Sequence, residues 1–192
     1  MKEWKIKNKI PDDELNKLSD HHPIIAQLLY NRQLQSQSEI DCFFNPDYSK
    51  LHDPYLFNDM EKATKRIWQA IDAGEQIMIH GDYDADGVTS SAVIYKILRF
   101  FRADVSVFIP HRENDGYGMN MKNVNKFISE GVNLLITVDC GITNYEEIKA
   151  LQEAGTDVII TDHHEPPEEF PPVYAILDPK IKDCGYHFSD LA

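Results

Sequence analysis

The sequence lacks the features that mark membrane-embedded and disulfide-stapled proteins. No apolar run approaches the roughly 20 residues that span a bilayer, and the N-terminal segment M-K-E-W-K-I-K has no apolar signal-peptide core. The three cysteines, Cys42, Cys140 and Cys184, are odd in number and widely spaced. They therefore imply neither a disulfide framework nor a C-x-x-C zinc site. These absences lead us to expect a cytoplasmic protein.

Basic residues are also scarce. The 192 residues include 19 Lys and Arg against 32 Asp and Glu, which gives a formal net charge of −13. This charge argues against a protein that coats nucleic acid, because such proteins normally present a basic surface. A nuclease stays compatible with it, since bound cations neutralise part of the acid and a basic groove can lie elsewhere.

The N-terminal part, residues 1–57, is predicted to form a small helical cap. Three short helices begin at recognisable signatures, at Pro11, at Pro23 and at the capping-box pattern after Ser36. A longer amphipathic helix follows and is predicted to stop at Gly74.

Strand and helix patterns alternate in the rest of the chain, which we assign to one domain spanning 58–192. The predicted strands are 77–80, 105–110, 134–139, 158–162 and 173–178. The predicted helices between the first four are 88–101, 121–130 and 144–154. This alternation indicates an α/β fold, with a parallel sheet covered by helices on both faces.

Ionisable side chains are concentrated where the predicted strands end. They are His80, Asp82, Asp84 and Asp86 after the first strand, His111 and Arg112 after the second, Asp139 after the third, and Asp162, His163 and His164 after the fourth. The carboxyl ends of parallel strands share one edge of a sheet, so we expect these residues to converge there.

Carboxylates packed this closely repel one another, and a divalent cation would compensate. Asp and His together suit Mn²⁺, Mg²⁺ or Fe²⁺ better than Ca²⁺. The candidate ligands are His80, Asp84, Asp86, Asp139 and His163. Two ions roughly 3.5–4 Å apart, bridged by a carboxylate, would use them all and would support phosphoester hydrolysis. The alternatives are a solvated acidic loop, and a role for Asp139 as a helix cap only.

The segment H-R-E-N-D-G-Y-G-M-N, residues 111–120, is basic and then glycine-rich. Arg112 could clamp a phosphate with paired N–H groups, or the segment could be an ordinary surface loop. Tyr83 and Tyr117 could stack on a base, but packing in the interior is an equal alternative.

Three motifs resemble those of the DHH phosphoesterase superfamily: H-G-D-Y-D-A-D-G, V-D-C-G and D-H-H. Within that superfamily, D-Y-D-A-D-G-V-T-S, P-H-R-x-x-x-G-Y-G-M-N and I-T-V-D-C-G-I-T-N are similar to the RecJ family of single-stranded-DNA-specific exonucleases. The resemblance covers almost the whole chain. It implies 5′-to-3′ degradation of single-stranded DNA in recombination and repair, with two Mn²⁺ or Mg²⁺ ions.

The resemblance also implies roles for individual residues. His80, Asp84, Asp86, Asp139 and His163 match the metal ligands, with Asp139 as the bridge. His164 matches the histidine that contacts the scissile phosphate. Asp82 and Asp162 are expected either to bind the metal or to hydrogen-bond to its ligands. The loop that grips substrate phosphate near the 5′ end corresponds to His111, Arg112, Gly116, Tyr117 and Gly118.

The chain departs from the family pattern at its end. The family uses a further aspartate well beyond D-H-H, and Asp178 comes too early to be that ligand. We therefore expect a truncated N-terminal part of a longer protein, which alone is weakly active or inactive. The resemblance suggests a helicase and a single-strand-binding protein as partners besides DNA.

Two other functions remain open on the sequence. One is a DHH phosphodiesterase that hydrolyses cyclic dinucleotides or short oligonucleotides. The other is a replication accessory that kept the fold without catalysis, against which the intact candidate ligand set argues.

Overall fold

Two compact units make up the computed structural model, which describes residues 5–111, 118–189 and 191. The chain divides between His52 and Asp53. The sequence-based domain boundary after residue 57 stays a prediction. Across the described ranges, no helix is both long enough and apolar enough to cross a membrane.

Among the described residues of the first unit are three α-helices, α1 (Asp12–Lys17), α2 (Pro23–Asn31) and α3 (Gln37–Phe44), followed by a 3-10 turn at Tyr48–Lys50. Ser36 and Glu39 form the capping box that the sequence predicts. The Ser36 hydroxyl accepts from the Glu39 N–H at 3.2 Å, and the Glu39 carboxylate accepts from the Ser36 N–H at 2.9 Å. The helices enclose a small core of Ile10, Leu18, Ala26, Leu29 and Ile40.

The second unit alternates helices and strands. Its elements are α4 (Met60–Ala73), β1 (Gln76–Gly81), α5 (Ala85–Phe100), β2 (Asp104–Phe108), α6 (Met121–Ser129), β3 (Leu134–Val138), α7 (Tyr145–Glu153), β4 (Asp157–Thr161) and β5 (Ala175–Leu177). Gly74 ends α4 in the left-handed region, at φ +66°, as predicted. The strand predicted over 105–110 runs from Asp104 to Phe108 in the structure. Its last residue, Phe108, pairs with His80 of β1.

The five strands form one sheet in the order β2-β1-β3-β4-β5. Every neighbouring pair is parallel. The chain moves outward from β1 to β2 and then crosses back to β3, so the direction of winding reverses between β1 and β3. In open α/β sheets, the crevice at the carboxyl ends of two such strands is where ligands bind.

Helices cover both faces of this sheet. On one face, α4 and α5 bury Ala63, Ala70 and Leu98 against strand residues such as Ile77 and Ile79. On the other face, side chains of α6 and α7 pack against the alternate strand positions; they are Val124, Phe127, Ile148 and Leu151. The parallel α/β architecture predicted from the sequence is confirmed.

Candidate metal centre

The turn from β1 into α5 places two aspartates at the carboxyl edge of the sheet. Asp82 follows β1 directly and is 2% exposed. Asp84 is the N-cap of α5, where one carboxylate oxygen accepts from the N–H groups of Asp86 and Gly87 at 3.0 and 3.1 Å. The helix therefore begins at Ala85, earlier than the residue 88 expected from the apolar pattern. Asp86 lies in its first turn and is exposed.

Position 87 requires a glycine because the turn brings the start of α5 very close to the backbone of Asp82. A Cβ atom at Gly87 would lie 2.4 Å from the backbone oxygen of Asp82 and 2.5 Å from its nitrogen. The first turn of α5 thus rests directly on the backbone of Asp82. This contact fixes the distance between the Asp82 and Asp84 carboxylates.

Asp139 follows β3 in an unusual backbone conformation. Its φ is +59°, in the left-handed region that non-glycine residues rarely occupy. Its carboxylate is 6% exposed and joins Asp82 and Asp84 in a group whose oxygen atoms lie within 4.8 Å of one another. Strained backbone at such a position is common in ligand sites.

The Asp84 and Asp139 carboxyl groups lie close together, with oxygen atoms within 4.8 Å of each other. Burial raises the pKa of Asp139, the His163 contact lowers it, and the charge of Asp84 raises it. The Gly87 N–H holds the pKa of Asp84 below its ordinary value. Two carboxylates this close repel each other, and a bound cation would relieve that repulsion.

The D-H-H segment after β4 adds imidazoles to the same edge. The Nε2 atom of His163 lies 2.8 Å from Oδ1 of Asp139. His164 also offers a nitrogen atom within 4.8 Å of donor atoms of Asp139 and His163. Asp139 therefore belongs to both groups of potential ligands that the described residues form.

Asp162 organises this segment from behind. One oxygen accepts from the His163 N–H at 2.8 Å, the His164 N–H at 3.2 Å and Nδ1 of His164 at 2.7 Å. The other oxygen accepts from the Ile142 N–H at 3.0 Å, which ties the loop after β3 to the loop after β4. The Asp162 side chain is 1% exposed, so it positions its neighbours and stays away from solvent.

The surroundings of His164 favour its protonated form. Burial is the largest single effect and lowers the pKa of His164, but the hydrogen bond to Asp162 and the charges of Asp162 and Asp139 together outweigh it and raise that pKa. The side chain is 43% exposed, so it is the more accessible of this pair.

A cavity of about 240 Å³ opens beside these groups. Its polar side is lined by Asp86, Asp139, Asp162 and His163, which places Asp86 on the same cavity as the cluster although it belongs to neither ligand group. Its apolar wall is formed by Phe57, Met60, Val138, Leu177, Pro179 and Leu191. Sequence reasoning missed this wall, because its residues read as ordinary core and loop positions.

His80 lies apart from the two groups of donor atoms. It is fully buried, with its ring 5.6 Å from that of Phe108 and 6.0 Å from that of Phe127. Its Nδ1 contacts Sγ of Cys140 at 3.5 Å, and within the described ranges its Nε2 has no hydrogen-bond partner. Burial lowers the pKa of His80 to about 4. No pattern in the sequence indicated the Cys140 contact.

The predicted substrate loop is only partly within the described residues. His111 is exposed, and Gly118 is buried at φ +70°. Arg112, Gly116 and Tyr117 lie outside the described residues. Their assignment to substrate binding stays a prediction.

Asp178 follows β5 directly, so like the other acids it lies at the carboxyl end of a strand. It is fully buried, one oxygen accepts from the Lys180 N–H at 2.8 Å, and the other has no partner in the part of the chain described. Burial raises the pKa of Asp178. It belongs to neither group of donor atoms.

The clustered side chains suit a divalent cation by their chemistry. Asp82, Asp84 and Asp139 supply hard carboxylate oxygens, and His163 adds an imidazole. This mixture favours Mn²⁺ or Mg²⁺ over a cation that prefers oxygen alone. The close approach of the Asp84 and Asp139 carboxylates and the unpartnered nitrogen of His80 within the described residues are further features that a bound cation would satisfy.

The family model described as "DHH family, N-terminal domain" matches residues 76–190, which include every member of this cluster. The chain belongs to the DHH family. Within that family it is similar to RecJ proteins, as the motifs predict. It is 42% identical over 193 residues to the single-stranded-DNA-specific exonuclease RecJ of Bacillus subtilis strain 168. That match covers 98% of this chain and 24% of the relative.

Comparison with solved structures also finds similarity to RecJ proteins. A manganese-bound exonuclease RecJ is 37% identical, with a TM-score of 0.64 over 71% of this chain and 37% of that one. RecJ of Thermus thermophilus in complex with Mn²⁺ is 29% identical, with a TM-score of 0.66 over 95% of this chain and 27% of that one. The chain thus spans about a quarter of the length of the Bacillus relative.

Proposed function

We propose that this chain forms the catalytic core of a metal-dependent exonuclease, which hydrolyses single-stranded DNA from 5′ to 3′ in recombination and repair. The observation that carries the proposal is the meeting of Asp82, Asp84 and Asp139, with His163 on Asp139, where the winding of the sheet reverses. Similarity to RecJ proteins supports the choice of substrate. Because the chain spans only part of those relatives, we propose the activity for a protein of their length that contains it.

The residues that would hold the cations, Mn²⁺ or Mg²⁺, are Asp82, Asp84, Asp139 and His163, with Asp86 on the adjoining cavity. Asp139 is the proposed bridge between two ions because it belongs to both donor groups. His80 is also proposed as a metal ligand, on the basis of the sequence motif. Bound cations supply an activated water and neutralise charge on the phosphate.

His164 acts on the substrate in this proposal. Its Nδ1 is held by Asp162, which leaves the opposite side of the ring directed away from that carboxylate. The raised pKa of His164 favours its protonated form, and an imidazolium can hydrogen-bond a phosphate oxygen strongly. Asp162 fixes this orientation without itself reaching solvent.

The loop from His111 to Gly118, with Arg112, Gly116 and Tyr117 in it, is proposed to grip phosphate near the 5′ end. This part of the proposal rests on the sequence pattern, since guanidinium and glycine backbone N–H groups suit phosphate. Such an enzyme would work in the cytoplasm, where a helicase and a single-strand-binding protein can present its substrate.

A hydrolysis assay on the protein of the relatives' length tests the proposal. The substrates are 5′-labelled single strands, the matching duplex and a cyclic dinucleotide, each with Mn²⁺. We expect rapid release of label from single strands only, and loss of this activity in Asp139→Asn. Faster hydrolysis of the cyclic dinucleotide would support the phosphodiesterase alternative, and DNA hydrolysis that survives Asp139→Asn would refute the metal centre.

A further inference from the structure

A buried thiol joins the ends of the two strands that flank the metal cluster. Cys140 follows Asp139 at the end of β3 and is 3% exposed, and His80, near the end of β1, is fully buried. The Sγ atom of Cys140 lies 3.5 Å from Nδ1 of His80 and 3.6 Å from the His80 backbone oxygen. One side chain therefore contacts both the ring and the backbone of the same histidine.

These two contacts decide where the protons lie. If the thiol donated its proton to Nδ1, the proton of the neutral ring would lie on Nε2, a buried nitrogen with no partner among the described residues. If the thiol donates to the backbone oxygen of His80, no N–H of the ring is left unpartnered and both contacts of the sulfur are satisfied. The sulfur lone pairs then face Nδ1 of the ring. A hydrogen bond there requires the proton to be on Nδ1, which donates to sulfur.

The proton on Nδ1 determines the state of the other ring nitrogen. The described residues contain no ion pair to His80 and no hydrogen-bond partner for its Nε2. A neutral imidazole carries one proton, so Nε2 is left with a lone pair. A buried lone pair without a partner is suited to a cation, and metal-binding histidines usually donate their second N–H to a neighbouring acceptor.

We propose that Cys140 is a positioning residue for His80, and that its thiol holds the imidazole in the tautomer with the proton on Nδ1 and the lone pair on Nε2. The link to metal binding rests on the proposed function, in which His80 is one of the ligands. The tautomer itself is a property of the metal-free protein and can be measured without catalysis.

The test is a ¹⁵N–¹H NMR spectrum of the histidine rings in metal-free protein, recorded above pH 6.5, the ordinary pKa of histidine. The His80 signals are assigned from their absence in His80→Gln. Wild type should show His80 protonated on Nδ1. Cys140→Ser should keep this tautomer, since a hydroxyl can also donate to the carbonyl and accept from Nδ1. In Cys140→Ala the Nδ1 proton loses the sulfur as an acceptor, and we expect a shift toward the Nε2–H form. This shift is read at a temperature where circular dichroism shows the variant to be folded, because an unfolded chain would also show the Nε2–H form.

Mn²⁺ titrations of the same proteins provide the second readout. We expect Cys140→Ala to weaken Mn²⁺ binding by roughly 10- to 100-fold, the range typical of partners behind a ligand, and Cys140→Ser to restore most of it. Cys184→Ala is the matched control, because within the described residues that thiol hydrogen-bonds to the backbone oxygens of Pro179 and Tyr186, away from His80, and its loss should change neither readout.

Two results would overturn the proposal: an Nε2–H tautomer in the wild type, or a tautomer that Cys140→Ala leaves unchanged. A different result bears on the proposed function alone. If His80→Gln binds Mn²⁺ as wild type does, His80 is not a ligand, whereas the assignment of the tautomer to Cys140 still holds.

Discussion

Asp139 is the residue on which the cluster depends. It takes part in both donor groups, lies close to the Asp84 carboxylate and contacts His163 at 2.8 Å. Its left-handed backbone, at φ +59°, turns the side chain at the point where β3 ends. The V-D-C-G motif identifies this aspartate as a candidate ligand. Its backbone conformation could not be predicted from the motif, because it follows from the surrounding contacts.

Asp139→Asn should weaken Mn²⁺ binding by about 100-fold or more, since losing a ligand costs at least as much as losing a partner behind it. Asparagine tolerates the left-handed region, and its neutral amide removes the repulsion with Asp84, so we expect no loss of stability in the metal-free protein. Isothermal titration with Mn²⁺ and urea unfolding measure the two effects. Asp183→Asn is the control, because Asp183 is exposed and has φ +63°; an equal loss of affinity there would point to a non-specific effect of charge.

His80 predicts a pH dependence of stability in the metal-free protein. Burial lowers its pKa from 6.5 to about 4. Below pH 6.5 the unfolded chain takes up a proton that the folded protein does not bind until about pH 4, so stability is complete above 6.5 and falls as the pH decreases through that window. The loss amounts to roughly 3 kcal/mol at most, at about 1.4 kcal/mol per pH unit.

The measurement is urea unfolding with a chelator present, at several pH values across that window. His80→Gln should lose this part of the slope, whereas His187→Gln, at an exposed histidine, should keep it. Equal slopes in wild type and His80→Gln would show that His80 is not held neutral by burial.

At the scale of elements, the turn from β1 to α5 links the fold to the site. Asp84 caps the helix and is also a candidate ligand, while Gly87 lets the helix approach the backbone of Asp82. The apolar pattern predicted the helix but placed its start after these acids, because a capping carboxylate is not visible in hydrophobic periodicity. The cap moves Asp86 from a loop into the first helical turn.

Gly87→Ala should disturb both stability and metal binding. The added methyl group would meet backbone atoms of Asp82 at 2.4–2.7 Å, and backbone cannot move aside as a flexible side chain can. We expect a loss of roughly 1–3 kcal/mol in the free energy of unfolding and weaker Mn²⁺ binding by the folded protein.

Gly155→Ala separates these two effects. This glycine has φ +90° and open space around its Cβ position, so the substitution should cost about 1 kcal/mol through backbone strain alone. Its Mn²⁺ affinity should equal that of wild type. If Gly87→Ala also kept full affinity, the close approach of α5 to Asp82 would have no role in shaping the site.

The alternation of strands and helices was predictable because both periods are strong in this sequence. The convergence of Asp82, Asp139 and His163 was predictable from the same alternation, because parallel strands share their carboxyl edge. The Cys140–His80 contact and the apolar wall of the cavity were not, because each depends on side chains from separate segments meeting in three dimensions.

At the scale of the whole molecule, the charge distribution predicts that the proposed DNA binding depends on cations. The net charge is −13, and aspartates line the edge where the scissile phosphate would lie in the proposed enzyme. An acidic edge repels a phosphate backbone until cations neutralise it.

We therefore expect this chain to bind single-stranded DNA only when Mn²⁺ or Mg²⁺ is present, as measured by fluorescence anisotropy of a labelled oligonucleotide. Adding a chelator should release the DNA, and Asp139→Asn should reduce the effect of the cation. Tight binding in the chelator alone would mean that a cation-independent surface dominates.

The most direct test of the metal centre is anomalous X-ray diffraction from crystals of the protein soaked in Mn²⁺. We expect manganese peaks at the carboxyl edge of β1, β3 and β4, between roughly 2.0 and 2.3 Å from donor atoms of Asp139 and His163. Manganese bound only at acids away from this edge, or absent from it in crystals soaked to saturation, would contradict the proposed centre.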